Sequence, residues 1–588
     1  MPTSNHNQNV SGQKESDLLV LSMWVLFAAL AFILWVLLCA YGFRRSQLIE
    51  VELVFLLACF LVVDTGRAMI KRAKDKKNLW PKPAVMYSER WDKKCMQYAI
   101  KHNCTLLGYD DDVKPVYVTD AQRAMQTNIP GQSGAGKSTL LYNILEQDIF
   151  RGVPVIWADG KGEKEFVIKL IAAAIAAGRA DDIRLIDPTH PEKSCKYNPF
   201  YAPDGDLNQR VDIVFESLGA ANAKDPFFSE HQLSFLRSLC NVLSFTGCTL
   251  TFQTIAAAAM RQEFVRETIA RVRDSVMNNP DLQPYEKEAF QAHATNLEGI
   301  YSENDWLGKI RGLLNSMMPF IGDPVSQIMD TDESPLSMQE VVDKKLILLI
   351  TMNIPKNSSA TTTVGRILLR DLQSVIAKRY DDYALNKQHS FISIALDEFG
   401  MFVYDGFAKI IHTARQANAS FIFSFQSINQ LANQVGQSFA HDVSTATNCS
   451  LLMRLKDDDS AQYFTKASGA VLTEKISYQV EQEAEVLGMP YRETGRATQS
   501  EVYETRVQDR HLKLLPTGQA MVLLADSQMG VTVKHVHVRK PVEFTLPSFV
   551  PAWIQSYAQP AADSKKLKIS FATEEPVRYG KSGRRARK

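Results

Sequence analysis

The sequence predicts an α/β fold: a P-loop nucleotide-binding domain carrying an inserted all-α domain and preceded by a transmembrane helical segment. Three observations carry this. Gly131-Gln132-Ser133-Gly134-Ala135-Gly136-Lys137-Ser138 is a complete phosphate-binding loop, and apolar strands alternate with amphipathic helices after it. Residues 18–43 hold no charge. From about 206 to 325 the apolar residues recur with helical period and no convincing strand interrupts them.

From the N-terminus, the uncharged run of 26 residues at 18–43 reaches roughly 39 Å as a helix. A bilayer core is about 30 Å thick, so the run spans it with tilt to spare. Trp24, Trp35 and Tyr41 are candidate interfacial anchors. A cleaved signal peptide is excluded, because the run is too long and Arg44-Arg45 follows it instead of a small-residue cleavage site. A second candidate, 48–63, is weaker: Glu50 and Glu52 sit near its start, which leaves a clean run of 11 residues at 53–63. A hairpin of two helices puts Arg44 and Arg45 outside; a single span puts them inside, as positive-inside bias prefers. The basic cluster Arg67, Lys71, Arg72, Lys74, Lys76 and Lys77 marks the cytoplasmic side. Both arrangements leave the phosphate loop in the cytoplasm, and the hairpin is the expectation, partly on the resemblance below.

Residues 81–120 are mixed in character, with Trp80-Pro81-Lys82-Pro83 as linker. The loop itself is a specific signal: a random chain of this length contains the pattern about 0.02 times. Its glycines let successive N–H groups turn toward one anion, and the helix that follows adds its positive end. Gly131, Gly134, Ala135, Gly136, Lys137, Ser138 and Thr139 are the expected nucleotide-binding set, with ATP and Mg2+ as cofactors. In this pattern Lys137 reaches the β- and γ-phosphates and the Ser138 hydroxyl ligates Mg2+. A helix at 138–150, a strand at 153–158, a helix at 163–177 and a strand at 183–186 follow, which implies a parallel sheet with helices on both faces. Beyond the helical insertion come strands at 346–352, 391–396, 421–425 and 449–455.

The strand at 391–396 runs into Asp397-Glu398, two adjacent carboxylates. Asp397 is expected to hold Mg2+ through water, and Glu398 to polarise the attacking water as general base. Gln426, at the end of the next strand, is the expected γ-phosphate sensor, and Arg415 between them is a candidate arginine finger acting across a subunit boundary. The formal charge of the 588 residues is only +1, which neither favours nor excludes a nucleic-acid partner. Eight scattered cysteines without a C-x-x-C pair fit reduced thiols better than a disulfide framework or a zinc site. The stretch 481–510 reads as loop-rich.

With these motifs in place, the chain resembles the type IV secretion system coupling proteins, the TraG/TraD-type conjugative DNA-transfer ATPases. Asp159-Gly160-Lys161-Gly162-Glu163 resembles the family's D-x-K-G-E motif and Tyr197-Asn198-Pro199-Phe200 its aromatic-N-P turn. Asp225-Pro226-Phe227-Phe228 is similar to the start of its all-α domain, and Leu515-Pro516-Thr517-Gly518-Gln519-Ala520 to its late strand entry. The resemblance runs from about residue 15 to 545. It implies a RecA-like motor, a homo-hexamer around a central channel, tethered to the bacterial inner membrane with its bulk in the cytoplasm. Such a motor passes relaxase-bound single-stranded DNA, gripped without sequence preference, or effector proteins, to the secretion channel subunits. Lys137 and Ser138 match the family's P-loop, Asp397 and Glu398 its acidic pair, Gln426 its third motif, and Arg415 falls where it places a trans-acting arginine. Expected domains are a membrane anchor at 1–80, the nucleotide-binding domain in two parts at 81–205 and 326–545, the all-α insertion at 206–325, and a basic tail at 546–588.

The chain departs from the pattern in places. Met125-Gln126-Thr127-Asn128-Ile129-Pro130 is polar for a central strand, and the end, Lys581-Ser582-Gly583-Arg584-Arg585-Ala586-Arg587-Lys588, is basic rather than acidic or helical. That tail suits DNA phosphates or anionic lipid, or serves as a solubilising end. Two rival readings stand beside the first: a membrane-tethered duplex translocase of the chromosome-segregation class, and a receptor scaffold with negligible turnover.

Overall fold

A computed structural model of the chain describes residues 87–202, 206–219, 226–322, 324–332, 336–354, 359–398, 400, 404, 407–481, 492–526, 530–547 and 550–558. The membrane segments expected at 18–43 and 48–63, the linker and the last thirty residues lie outside these. Among the described residues no helix is long and apolar enough to cross a membrane.

The frame is one 11-stranded sheet. Its strands are β1 (Cys104–Tyr109), β2 (Pro115–Thr119), β3 (Thr127–Pro130), β4 (Val155–Asp159), β5 (Ile183–Ile186), β6 (Ile347–Thr351), β7 (Ile392–Asp397), β8 (Ala419–Phe425), β9 (Cys449–Leu452), β12 (Gln519–Asp526) and β13 (Gly530–Val538). β10 (Ala470–Glu481) and β11 (Arg492–Thr505) form a separate antiparallel hairpin. The order across the sheet is β2-β1-β13-β12-β9-β3-β8-β7-β4-β6-β5.

From β9 to β5 every pairing is parallel, as expected. The other four strands correct the purely parallel expectation: β12, β13, β1 and β2 add on antiparallel, so the sheet is mixed. The stretch expected to be loop-rich is corrected too, since β11 pairs with β10 from Ala470↔Thr505 to Glu481↔Arg492. Between β5 and β6 the described residues form helices, among them Pro226–Ser244, Gln262–Met277, Pro284–Tyr301 and Trp306–Met317, and no strand.

β3 is polar and yet buried, and Asn128 within it and Gln126 just before it bond to neighbouring segments. Asn128 Nδ2 donates to Thr447 Oγ1 at 2.5 Å, and Gln126 Oε1 accepts from the Phe421 N–H at 2.7 Å while its Nε2 donates to Ala124 O at 2.7 Å. Gln126 thus has both ends of its amide paired, whereas Asn128 is paired through Nδ2 and its buried Oδ1 has no hydrogen-bond partner. The helix that follows the phosphate loop, Lys137–Phe150, is buried on nearly every side. Leu140, Leu141, Ile144, Leu145 and Ile149 join the core against β4 and the helix Lys164–Ala176, where Trp157 stacks on Phe166 with centroids 4.9 Å apart. Its polar face meets β1 where that strand slips register between Leu106 and Gly108. There Gln147 Oε1 accepts from Leu106 N at 2.8 Å, and Asn143 Nδ2 donates to Leu106 O at 3.1 Å. The aromatic-N-P turn clamps the helical layer: Asn198 Nδ2 donates to Leu250 O (2.8 Å) and Thr331 O (3.0 Å).

Candidate functional site

The carboxyl ends of β3, β7, β8 and β4 meet at one edge of the sheet, and the chemistry-bearing side chains gather there. The phosphate loop leaves β3 between two neighbours. Gly131 N donates to Phe425 O at the end of β8 (3.1 Å), and Gln132 N donates to Arg454 O beyond β9 (2.8 Å). Gly134 (φ +75°) and Gly136 (φ +105°) lie in the left-handed region that only glycine occupies without cost. A Cβ on Gly131 would stand 2.6 Å from Met453 Cβ, so close packing also requires glycine there. From the far side the turn after Pro516 braces the loop, with Gly518 N donating to Ala135 O at 3.3 Å.

Lys137 opens the helix and is buried; its Nζ donates to Gly131 O (2.6 Å) and Gln132 O (3.3 Å). Burial pushes its ammonium below the usual lysine range, against the opposing pull of Glu398 and Asp397. Ser138 is half-buried and Thr139 exposed on the same first turn. Asp397 ends β7 in register with Asp159 at the end of β4, which sets two buried carboxylates side by side. Burial raises both, Asp159 to about 6. Asp159 keeps part of its charge through the backbone of its own motif, accepting from Lys161 N (3.0 Å) and Glu163 N (2.8 Å).

Glu398 is wholly buried and leaves β7 at φ +50°. A non-glycine residue holds that conformation only where its surroundings fix it. Its partners do so here: Lys161 Nζ forms an ion pair with Oε1, Gln426 Nε2 donates to Oε1 at 3.1 Å, and Gln430 Nε2 to Oε2 at 3.4 Å. Burial alone would raise this carboxyl, but Lys161 and Gln426 together bring it below the usual glutamate range. Glu398 is therefore an ionised carboxylate at neutral pH, placed among donors.

Of the residues expected from the sequence, Gly131, Gly134, Ala135, Gly136, Lys137, Ser138, Thr139, Asp397, Glu398 and Gln426 thus lie along this edge. Arg415 does not join them within the chain. It is exposed in the turn after the helix Phe407–Ala414, before the start of β8, whereas Gln426 follows its end. The seven residues of β8 separate the two by roughly 20 Å along the strand. Sequence reasoning assigned no role to Lys161, although the D-x-K-G-E motif was the signal for it. Gln430 carried no signal; it reaches Glu398 from the helix Ile428–Val435, whose start Ser427 caps by accepting from Gln430 N at 3.1 Å.

The family model described as Type IV secretory system Conjugative DNA transfer matches residues 130–524, from the end of β3 into β12. The chain is 23% identical over 394 residues to the Type 4 coupling protein DotL of Legionella pneumophila, a match covering 59% of this chain and 49% of that protein. The chain thus spans about half the length of the curated relative it matches. Among solved structures it is similar to the bacterial conjugative coupling protein TrwBdeltaN70 in an unbound form, with 14% identity, 80% of this chain and 96% of that one covered, and a TM-score of 0.50. The plasmid coupling protein TrwB in complex with ADP and Mg2+ gives 13% identity, 80% and 97% coverage and a TM-score of 0.50. At these identities the structural likeness speaks for the fold. The family match extends over more than half of the sequence, and the chain belongs to the Type IV secretory system conjugative DNA transfer family.

Proposed function

We propose that the chain is an inner-membrane-anchored, ATP-hydrolysing coupling protein that drives DNA, as a relaxase-bound single strand, or protein substrates into a type IV secretion channel. The observation that carries this reading is the convergence of Lys137, Asp397, Glu398 and Gln426 on one sheet edge beside the phosphate loop. The residues present fit ATP and Mg2+. Two side-by-side carboxylates raised by burial are what a divalent cation relieves, and a buried ammonium at a helix start is what a phosphate chain relieves. ATP would supply the phosphoryl group, and Mg2+ would neutralise charge developing on its oxygens.

The chain's own groups then divide the work. The loop N–H groups and Lys137 hold the phosphates, while the Ser138 hydroxyl and Asp397 hold the metal. Glu398, kept ionised by Lys161, takes a proton from the attacking water at its carboxylate, and Gln426 fixes that carboxylate's orientation. Arg415 acts on the site of a neighbouring subunit in a homo-hexamer, which its exposure and its distance from its own Gln426 support. DNA is held through phosphates without sequence preference, so affinity falls steeply with salt.

The test is ATP turnover of the full chain in detergent or nanodiscs, with and without single-stranded and duplex DNA, against Glu398→Gln. Turnover stimulated by DNA and rising with protein concentration is expected, with Glu398→Gln binding ATP yet failing to hydrolyse it. Undiminished turnover in Glu398→Gln would sink the assignment. Turnover indifferent to DNA would shift the cargo to protein.

A further inference from the structure

A second constellation of ligating groups lies on the antiparallel half of the sheet. His535 and His537 alternate on β13 and so face the same side. Asp111, in the turn between β1 and β2, reaches both: its Oδ1 is 3.0 Å from His535 Nδ1 and 3.1 Å from His537 Nε2. The ligand atoms of all three lie within 4.8 Å of one another. The two rings stand at 70° to each other, edge against face, with centroids 4.8 Å apart. His537 is buried and Asp111 exposed, so the cluster is anchored in the sheet and open to solvent on one flank.

The protons decide what this cluster holds. The outer nitrogen of His535, Nε2, lies 3.0 Å from Gln519 Oε1. When Nε2–H is donated to that oxygen, Nδ1 carries a lone pair that faces a carboxylate oxygen. Two acceptors at 3.0 Å repel one another unless a proton or a metal cation sits between them. An imidazole whose outer N–H is held by a carbonyl or carboxylate oxygen, with its inner nitrogen free to ligate, is the usual arrangement of metal-binding histidines. The spacing is slightly tight: tetrahedral bonds of about 2.1 Å put ligand atoms roughly 3.4 Å apart, so the carboxylate and the rings would part by about 0.3–0.4 Å to seat an ion.

We propose that Asp111, His535 and His537 form a binding site for a zinc-class divalent cation. Two imidazoles and one carboxylate suit Zn2+ and its first-row neighbours, whereas Mg2+ and Ca2+ prefer all-oxygen shells. The bound ion ties together chain positions separated by 424 residues. It is a structural clasp, closing the β1–β2 turn onto β13. It also stands next to the nucleotide loop, because Gln519 follows Gly518, whose N–H donates to Ala135 O at 3.3 Å. This site is independent of the proposed ATP chemistry.

The experiment uses the full chain without a histidine tag, stripped with chelator and titrated with Zn2+ in excess Mg2+. Uptake is measured by elemental analysis, and the ligands by X-ray absorption. One zinc per chain is expected, with a shell of nitrogen and oxygen that includes imidazole. Asp111→Asn and His535→Gln should each lower zinc affinity at least tenfold, while Cys248→Ser, at an exposed thiol, leaves it unchanged. Zinc should raise the melting temperature of the unmutated chain and not that of Asp111→Asn. Substoichiometric uptake, a thiolate in the zinc shell of the unmutated chain, or unchanged affinity in folded Asp111→Asn and His535→Gln would overturn the site and leave a proton-bridged histidine–carboxylate cluster.

Discussion

Asp148→Asn tests how the phosphate-loop helix is fastened to the sheet. Asp148 is fully buried and accepts from both Nη atoms of Arg123, at 2.7 and 2.6 Å, and from Arg151 Nη2 at 2.5 Å. The same Arg123 guanidinium donates to Thr105 Oγ1 on β1 and to Ser393 Oγ on β7, each at 2.9 Å. One ion pair therefore joins the helix that starts at Lys137 to the strand that ends at Asp397. Burial alone would raise this carboxyl, but the two guanidiniums win and hold it at about 2 against an ordinary 3.8. That gap corresponds to about 2 kcal/mol in favour of the charged form. Arg151 keeps Asp120, at 2.9 Å, when Asp148 is neutralised, whereas Arg123 loses its carboxylate. A buried charge that loses its partner costs about 3–5 kcal/mol. The expected loss is therefore about 3 kcal/mol, seen by calorimetry as a fall of roughly 3 °C in Tm for a folded unit of this size. Replacing the pair together, Arg123→Met with Asp148→Leu, should recover most of it. The sign of the shift adds a second check. A depressed carboxyl contributes fully above about 3.8 and loses its contribution only as pH falls toward 2, so the deficit must be the same at about pH 5 and pH 8. A loss under about 1 kcal/mol, no recovery in the double variant, or a deficit that changes over that range would refute the reasoning.

Glu146 gives the opposite sign. Burial raises its carboxyl to about 7 despite Arg539, so its ionisation opposes folding by up to about 3 kcal/mol, a cost that grows as pH rises from near 4.5 through 7. Lowering pH from about 8 to 6 should therefore raise Tm in the unmutated chain, and Glu146→Gln should flatten that dependence, leaving the smaller part owed to groups such as Asp159; an undiminished slope in the variant counts against it. Lys161→Met withdraws the ammonium that holds Glu398 down, and its carboxyl should climb. The acid limb of the ATPase pH–rate profile then moves upward, and an unmoved limb disproves the pairing. Arg415→Ala should abolish turnover only in the assembled oligomer; an equal loss in monomer, followed by ATPase across a concentration series, rules out action in trans.

What could be read in the sequence follows what each element buries. β4, β6, β7 and β8 are covered on both faces, so they spell largely apolar runs such as Ile347-Leu348-Leu349-Ile350, and the parallel half of the sheet was legible. β3 was readable only through the loop that follows it, because Asn128 and Gln126 exchange apolar packing for hydrogen bonds to Thr447 and to β8, far along the chain. β11 was misread as loop because Arg492-Glu493-Thr494-Gly495 begins it polar, and a two-stranded hairpin needs no apolar run. In the site, residues bound by local motif, from Gly131 to Thr139 and at Asp397-Glu398, were visible. Lys161, Gln430 and the Asp111–His535–His537 cluster were not assigned, because each acquires its role from a partner on another element.

The pairing of β3 also sets a timetable. The strand that launches the phosphate loop has two neighbours, β8 and β9, and its Asn128 waits for Thr447, 319 residues downstream. At about 5–20 residues per second on the ribosome, that wait is roughly 16–64 s. Throughout it the apolar faces of Lys137–Phe150 and β4 have been made but the centre of their sheet has not. A growing chain of this kind cannot bind nucleotide early, and its first half is the stretch most in need of a chaperone's shelter.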